Sequence, residues 1–179
     1  MELLNRLSHC DQRLFLWCAV LSHSASYSRY LQAFAKIISR SGDGYLQVVL
    51  PLGLLALYGE TALALLTALL LAFSLERTLY WLLKNGLKRP RPPVAIPSFN
   101  ALIIASDEFS FPSGHTSAAF LLAIITASFV PVLTLPLLSW ASCIAVSRVI
   151  LGVHFPADTI AGVALAALVA SLVPAAVPL

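Results

Sequence analysis

Charge is scarce in this sequence. Asp, Glu, Lys and Arg make up only 11% of the 179 residues, whereas 59% are hydrophobic and the mean hydropathy is +0.89. Because soluble domains carry about a quarter charged residues, this shortage excludes a soluble globular class and predicts an integral membrane protein. The net charge of +3 is confined to local basic clusters, and no nucleic-acid-binding motif is present, so we expect no nucleic-acid partner.

Cysteine is also rare. Cys10, Cys18 and Cys143 lie in or beside apolar segments and lack the spacing of a disulfide framework or a metal site. We therefore expect them to be small buried hydrophobes. The N-terminus has no positive region followed by an apolar core and a cleavage site, so we expect no cleaved signal peptide.

Long apolar blocks divide the chain into helical spans, each of which needs about 20 apolar residues. We predict spans at Leu14 to Ser22, 43–59, 61–83, 115–130, 134–150 and 157–173. Leu31 to Ile38 has its apolar residues on one face, which predicts an amphipathic helix along the membrane surface. The predicted fold class is therefore all-α: a polytopic membrane helical bundle of six transmembrane helices with an interfacial amphipathic helix near the N-terminus. We expect one membrane-embedded domain, 1–179.

Five prolines and much of the remaining charge fall in residues 84–114, which predicts a long loop at the membrane surface. Glu76 and Arg77 lie inside a predicted span and should face the bundle. Counting crossings along the chain puts Lys84, His115 and the segment after residue 147 on the same side of the membrane. Three polar motifs should therefore meet there.

The first motif is KNGLKRPRP, from Lys84 to Pro92. Lys84 and Arg91 could grip phosphate oxygens, arginine through its planar fork and lysine as a point charge. The alternative is a belt of cations at a helix end that contacts anionic lipid headgroups. We favour that alternative for Lys88 and Arg89.

The second motif is PSGH, from Pro112 to His115, directly before an apolar helix. Ser113 and the Gly114 amide could present hydrogen-bond donors to an anion at the helix N-terminus, and His115 could act as a general acid. The alternative is an ordinary capping turn.

The third motif is SRVILGVHFPAD, which begins at Ser147. His154 and Asp158 are one helical turn apart, so the carboxylate could orient the imidazole. The alternative is an interfacial histidine and a first-turn acid favoured by the helix dipole.

Taken together, these motifs resemble the three-part signature of the type 2 phosphatidic acid phosphatase superfamily. They read Lys84-x6-Arg91-Pro92, Pro112-Ser113-Gly114-His115 and Ser147-Arg148-x5-His154-x3-Asp158, within about residues 60–175. The resemblance implies that His154 is a nucleophile forming a phosphohistidine, that Asp158 orients it and that His115 protonates the leaving group. It also implies that the phosphoryl oxygens are bound by Lys84, Arg91, Ser113, Gly114 and Arg148.

The expected function is hydrolysis of a membrane lipid phosphate or diphosphate, with undecaprenyl diphosphate first, phosphatidylglycerophosphate and phosphatidic acid close behind, and a lipid A phosphatase as a further candidate. Asp107 and Glu108 lack the acidic or histidine partners of a two-metal hydrolase, so we expect no metal and no cofactor. Two alternatives are a vanadate-dependent haloperoxidase, whose members are soluble and larger, and a non-catalytic lipid-phosphate binder or transporter, which would need only the cations.

The side that the site faces is predicted from two conflicting signals. Eight of the 11 Lys and Arg residues lie on the site side, and the positive-inside tendency would place that side in the cytoplasm. Three of the eight are explained by phosphate binding, however, and bacterial members of the resembled family commonly face the periplasm or exterior. We therefore expect a bacterial plasma-membrane protein with an extracytoplasmic site.

Overall fold

The chain is helical throughout its regular structure in residues 2–24 and 28–173, the part that this computed structural model describes. The helices are α1 (Glu2–Ser24), α2 (Ser28–Ser41), α3 (Tyr45–Tyr58), α4 (Thr61–Leu87), α5 (Pro92–Ala95), α6 (Gly114–Phe129), α7 (Thr134–Ile150) and α8 (Pro156–Leu172). A short 3₁₀ turn, Pro131–Leu133, precedes α7. The all-α class is confirmed. Residues 174 and 175 of the predicted core lie outside the described part.

Each span predicted from residue 43 onward corresponds to one helix within a few residues. The breaks fall at Gly59, which has a positive φ of 59°, and at prolines that begin the next element. By length and composition, Ala62–Ala95 and Pro131–Ile150 are able to cross a membrane, and α3, α6 and α8 are apolar but shorter. The number of spans and the interfacial position of α2 stay predictions.

Helix α6 lies at the centre of the bundle and packs against α3, α4, α7 and α8. Its Ala119 and Ala123 are fully buried, as is Ala141 of α7. Small side chains at a helix contact let the helix axes approach closely. Leu121 and Leu122 of α6 complete the core in a second cluster, with apolar side chains of α4 and α8.

Large apolar side chains also cover the outside of the bundle. Leu57, Trp81, Leu135 and Ile160 are all more than half exposed, as expected of a surface that contacts lipid rather than water.

The prediction of buried cysteines is wrong for Cys10 and Cys143, which are exposed, while Cys18 is half-buried. Composition does not specify which face of a helix a residue occupies, which is why the prediction failed for these two cysteines.

The predicted loop 84–114 is shorter than expected and contains a short helix. Helix α4 continues to Leu87, so Lys84 belongs to the helix, and α5 interrupts the loop. The loop folds back on the bundle: the Leu102 amide donates to the Leu151 carbonyl at 3.0 Å, and Phe99 packs edge-on against Phe15 of α1. It therefore covers one end of the bundle.

The turn between α7 and α8 accommodates this loop at Gly152. Its φ is +77°, and a Cβ atom there would lie 2.5 Å from the Phe99 ring. Glycine is required at this position both by conformation and by space.

Glu76 is fully buried in the bundle, as predicted, and accepts a hydrogen bond from Ser117 Oγ at 2.5 Å. Its neighbour Arg77 pairs with it and extends toward a cavity at the covered end of the bundle.

Candidate active site

A cavity of about 980 Å³ opens at the end of the bundle where α4 and α7 terminate and α6 begins. Five predicted site residues line it: Lys84, Gly114, His115, Arg148 and His154. The other three, Arg91, Ser113 and Asp158, are buried. The structure thus brings all three sequence motifs to one site.

Two of the site's cations extend from helix C-termini. Lys84 lies in the last turn of α4 and Arg148 in the last turn of α7, where the helix dipole favours positive charge. Arg148 Nη1 donates to Ser39 Oγ at 2.6 Å, and its Nε has no hydrogen-bond partner in the described residues. A buried guanidinium with an unused donor is suited to receive an anion.

Arg91 joins the loop to the histidine motif. Its Nη1 donates to the Val153 carbonyl at 2.5 Å and lies 3.4 Å from His154 Nε2. The side chain is almost completely buried. The Nε2 atom of His154 therefore faces the cationic side of the cavity.

His154 is nearly inaccessible to solvent, and its surroundings favour the neutral ring. Burial is the main influence and lowers the pKa of His154 well below its usual value, against the opposing effect of Asp158. A neutral imidazole retains the lone pair that a nucleophile needs.

Asp158 lies farther from His154 than a hydrogen bond requires. The distance from His154 Nδ1 to Asp158 Oδ2 is 3.7 Å, and Nδ1 has no hydrogen-bond partner in the described residues. Asp158 Oδ2 instead accepts from the Phe155 amide at 2.8 Å, because Asp158 is also the third residue of α8 and caps its N-terminus. His154 and Asp158 are therefore close together, as predicted, but they form no hydrogen bond in the structure. The Asp158 carboxylate both caps α8 and lies beside the His154 ring.

The PSGH turn is fixed between α6 and α8. The Ser113 amide donates to the Asp158 carbonyl at 3.0 Å, and Ser113 Oγ lies 2.9 Å from Thr116 Oγ1. Gly162 of α8 permits this contact, because a Cβ there would be 2.8 Å from the Ser113 carbonyl oxygen. The Ser113 amide thus bonds within the protein and its hydroxyl is paired with Thr116, unlike the predicted arrangement, whereas Gly114 borders the cavity.

His115 has an acidic partner that the sequence analysis did not identify. Its Nε2 is 2.7 Å from Oδ1 of Asp43, in the turn between α2 and α3. A hydrogen bond from a carboxylate to one ring nitrogen fixes the orientation and tautomer of the imidazole.

Asp107 lies between two of the site cations. Its carboxylate pairs with Lys84 and Arg91 and accepts from Tyr80 Oη at 2.7 Å. Burial raises the pKa of Asp107, but the bonds from Lys84 and Tyr80 and the charges of Lys84 and Arg91 outweigh it and hold the pKa well below its usual value. Asp107 therefore carries a full negative charge next to Lys84 and Arg91.

We predicted that Lys88 and Arg89 contact anionic lipid headgroups. Lys88 is exposed, as expected, but the prediction is wrong for Arg89. Arg89 Nη1 donates to Asp158 Oδ1 at 2.7 Å, and Nη2 donates to Asp11 Oδ2 at 2.6 Å. Two buried carboxylates bind this guanidinium more favourably than headgroups at the surface would.

Sequence reasoning missed Asp11, Asp43, Tyr80 and Arg89 and gave Asp107 no role. Asp11 did not stand out in the sequence, because the same helix also carries Glu2, Arg6 and Arg13. The others bond to residues far along the chain, so no local pattern identifies them.

In the described part of the chain, no group of three or more His, Cys, Asp or Glu side chains is arranged to hold a metal ion.

These features define a class: an apolar helical bundle with a buried cationic cavity and two histidines at one end. The chain belongs to the PAP2 superfamily, whose family model matches residues 61–178. That range contains every residue of the three motifs.

Relatives and solved structures agree with this assignment. The chain is 36% identical over 96 residues to decaprenylphosphoryl-5-phosphoribose phosphatase of Mycobacterium tuberculosis, covering 51% of this chain and 50% of the relative. It is 35% identical over 117 residues to phosphatidylglycerophosphatase B of Bacillus subtilis, covering 59% and 54%. The chain thus spans about half the length of these relatives.

The fold matches two crystal structures over most of both chains. One is LpxE of Aquifex aeolicus, with a TM-score of 0.76, 26% identity and coverage of 91% of this chain and 93% of the other. The second is the first transmembrane PAP2 type phosphatidylglycerolphosphate phosphatase from Bacillus subtilis, with a TM-score of 0.74, 25% identity and coverage of 96% and 86%. The fold is that of a membrane PAP2 protein, and the phosphatase relatives support a phosphoester hydrolase.

Proposed function

We propose that this protein is a lipid phosphatase that hydrolyses a phosphomonoester or diphosphate through a phosphohistidine intermediate. The observation that carries the proposal is the position of His154 Nε2, 3.4 Å from Arg91 Nη1 at a cavity that Lys84 and Arg148 also line. A nucleophile beside several fixed cations is suited to phosphoryl transfer, where charge develops on three equatorial oxygens.

In the first step, His154 Nε2 attacks phosphorus and forms an N–P bond while the P–O bond to the lipid breaks. His115 donates a proton to the departing oxygen, and Asp43 holds the His115 ring in position through its contact with Nε2. Asp158 stabilises the positive charge that develops on the His154 ring.

In the second step, water attacks the phosphorus of the phosphohistidine and the N–P bond breaks. His115, now neutral, accepts a proton from that water, which returns both histidines to their starting states. Lys84, Arg91, Arg148 and the Gly114 amide bind the phosphoryl oxygens throughout. Ser113 holds the turn that presents Gly114.

The substrate we propose is a membrane lipid that ends in phosphate. The cavity is at the large end of typical ligand pockets, so it could admit a headgroup as well as a phosphate. Undecaprenyl diphosphate remains the first candidate, with phosphatidylglycerophosphate and phosphatidic acid next. The names of the two relatives, one acting on a polyprenyl-linked phosphate and one on phosphatidylglycerophosphate, support testing both lipid classes.

We further propose one domain that spans the membrane six times, counting α1, with α2 lying along the surface. Tyr30, Phe34 and Ile37 of α2 are all more than half exposed, which supports contact with lipid. The site would face the exterior of a bacterial plasma membrane.

The test is phosphate release by the purified protein from a panel of lipid phosphates, with His154→Ala as the inactive control. Release of phosphate by the wild type alone supports the proposal. An acid-labile phosphoenzyme trapped in His115→Ala would support the order of steps. Equal release by wild type and His154→Ala would refute the mechanism.

The same panel separates the alternative functions. A lipid-phosphate binder would bind the lipids without releasing phosphate. A vanadate-dependent haloperoxidase would oxidise halide with peroxide once vanadate is added, whereas vanadate should inhibit a phosphatase.

A further inference from the structure

We propose that Arg89 and Asp11 are positioning residues that fix the orienting carboxylate Asp158 against His154. The inference rests on the proposed function, because it assigns them a role in the same reaction. Arg89 lies within the first motif but is not one of its signature positions, Lys84, Arg91 and Pro92, and Asp11 lies before the residues that the family model matches.

The bonds form a continuous chain from α1 to the site. Asp11 Oδ2 accepts from Arg89 Nη2 at 2.6 Å, and Arg89 Nη1 donates to Asp158 Oδ1 at 2.7 Å. Asp11 Oδ1 accepts from the Ala157 amide at 2.9 Å, in the first turn of α8. One carboxylate of α1 therefore holds both the arginine and the helix that carries Asp158.

The environment makes these bonds strong. Asp158 is fully buried and Asp11 is 7% exposed, so water solvates Asp158 not at all and Asp11 only slightly. The Arg89 guanidinium also stacks 4.4 Å from the centre of the Phe155 ring, which limits its movement. Without Arg89, two buried carboxylates would lose their shared counter-ion.

Arg89 also decides which oxygen of Asp158 faces the histidine. It binds Oδ1, and the Phe155 amide binds Oδ2, so the carboxylate cannot rotate freely. Oδ2 is the atom that lies 3.7 Å from His154 Nδ1. A modest approach of the ring during reaction would complete that hydrogen bond, provided the carboxylate stays in place.

The charge of Arg89 should also influence the protonation of His154. The charged groups around the pair are Asp11 of α1, Lys84 of α4, Arg89 and Arg91 of the loop, and Arg148 of α7. Arg89 is the one that hydrogen-bonds directly to Asp158. Its removal would leave more of the carboxylate's negative charge to attract a proton to His154.

The experiment compares Arg89→Gln, Arg89→Lys and Asp11→Asn with the wild type in lipid nanodiscs. Lys88→Gln is the matched control for Arg89, since it removes a positive charge from the adjacent, exposed position. Glu60→Gln, at an exposed turn, is the control for Asp11. The readouts are kcat, KM, unfolding temperature and the pH titration of His154 by NMR of labelled histidine, with the His154 signal identified from its absence in His154→Gln.

We expect Arg89→Gln to lower kcat about 100-fold, the effect of a misplaced catalytic group, with little change in KM. Asp11→Asn should lower kcat about 10-fold, as for the loss of one charge-assisted bond. Arg89→Lys should be intermediate, because lysine keeps the charge but lacks the planar fork whose two nitrogens bind the two carboxylates. Combining Asp11→Asn with Arg89→Gln should cost little beyond Arg89→Gln alone, since the two act through the same chain.

The His154 titration decides between positioning and mere support of the fold. An upward shift of its midpoint in Arg89→Gln, absent in Lys88→Gln, supports the inference. An unchanged midpoint would overturn it, even if the variant is less stable or less active. If Arg89→Gln does not fold, the kinetics of Arg89→Lys and Asp11→Asn carry the test: a lower kcat with an unchanged KM supports the inference, and an unchanged kcat in both variants overturns it. If the wild type releases phosphate from no lipid, the proposed function fails, while the titration still tests the coupling of Arg89 to His154.

Discussion

Asp107→Asn should strengthen the binding of phosphate-like anions to this protein. In the structure the Asp107 carboxylate pairs with Lys84 and Arg91, the cations that a phosphoryl group would need. A bound phosphate must therefore displace the carboxylate or share the cations with it. Asparagine keeps the shape and removes the charge, so the competition should fall.

The magnitude follows from the charges at the site. Lys84, Arg91 and Arg148 with Asp107 sum to +2, and the variant raises the sum to +3. At an effective dielectric constant of about 20, one unit charge at about 5 Å is worth about 3 kcal/mol. The Asp107 side chain is 36% exposed, so solvent screening reduces this to about 1.4 kcal/mol, a factor of about 10 in affinity.

The assay is the inhibition constant of orthovanadate against phosphate release by the purified protein, with Glu108→Gln as the control of equal charge change. The pKa of Asp107 is held well below its usual value. The carboxylate should therefore stay charged, and compete with the anion for Lys84 and Arg91, at any pH above the ordinary aspartate pKa of about 3.9. The gain in Asp107→Asn should accordingly be constant from about pH 5 to pH 8. An inhibition constant that is unchanged or weaker in Asp107→Asn would refute the reasoning and indicate that Asp107 holds the cations in place.

Three further predictions concern the chemistry and orientation of the site. Asp158→Asn should retain the helical fold, since asparagine can still accept a hydrogen bond from the Phe155 amide. It should nevertheless slow phosphate release strongly, and a near-normal rate would contradict the orienting role of Asp158. The lowered pKa of His154 should place the acidic limb of kcat/KM below the ordinary histidine pKa of about 6.5, and a limb above that value would mean that the buried ring is not the nucleophile. Phosphate release should survive EDTA, and a loss that magnesium restores would refute metal independence. 

The side of the membrane that the site faces can be tested at Ser98, an exposed loop position where cysteine is a small change. In a cysteine-free background, we expect Ser98→Cys to react with a membrane-impermeant thiol reagent in intact cells. Labelling that requires lysis would place the site in the cytoplasm and favour an inner-leaflet substrate. Arg89 is unsuitable for this purpose, because its side chain is bonded to Asp158.

Local patterns in the sequence predicted the helices well. Apolar blocks between Gly59, Pro131 and Pro156 specify where helices begin and end, because an apolar helix and a chain break are both properties of neighbouring residues. Counting these blocks also predicted that Lys84, His115 and His154 would share one end of the bundle, and the cavity contains all three.

The partners of the charged side chains were decided by the tertiary structure. Arg89 bonds to Asp11 and Asp158, which are 78 and 69 residues away in the chain, and adjacent Lys88 has the same charge but is exposed. Nothing in the sequence near these two cations distinguishes them, since an ion pair depends on which elements meet. The sequence therefore determines the helices and the chemical groups of the site, while packing of α1, the loop and α8 determines which groups neutralise, orient or compete with one another.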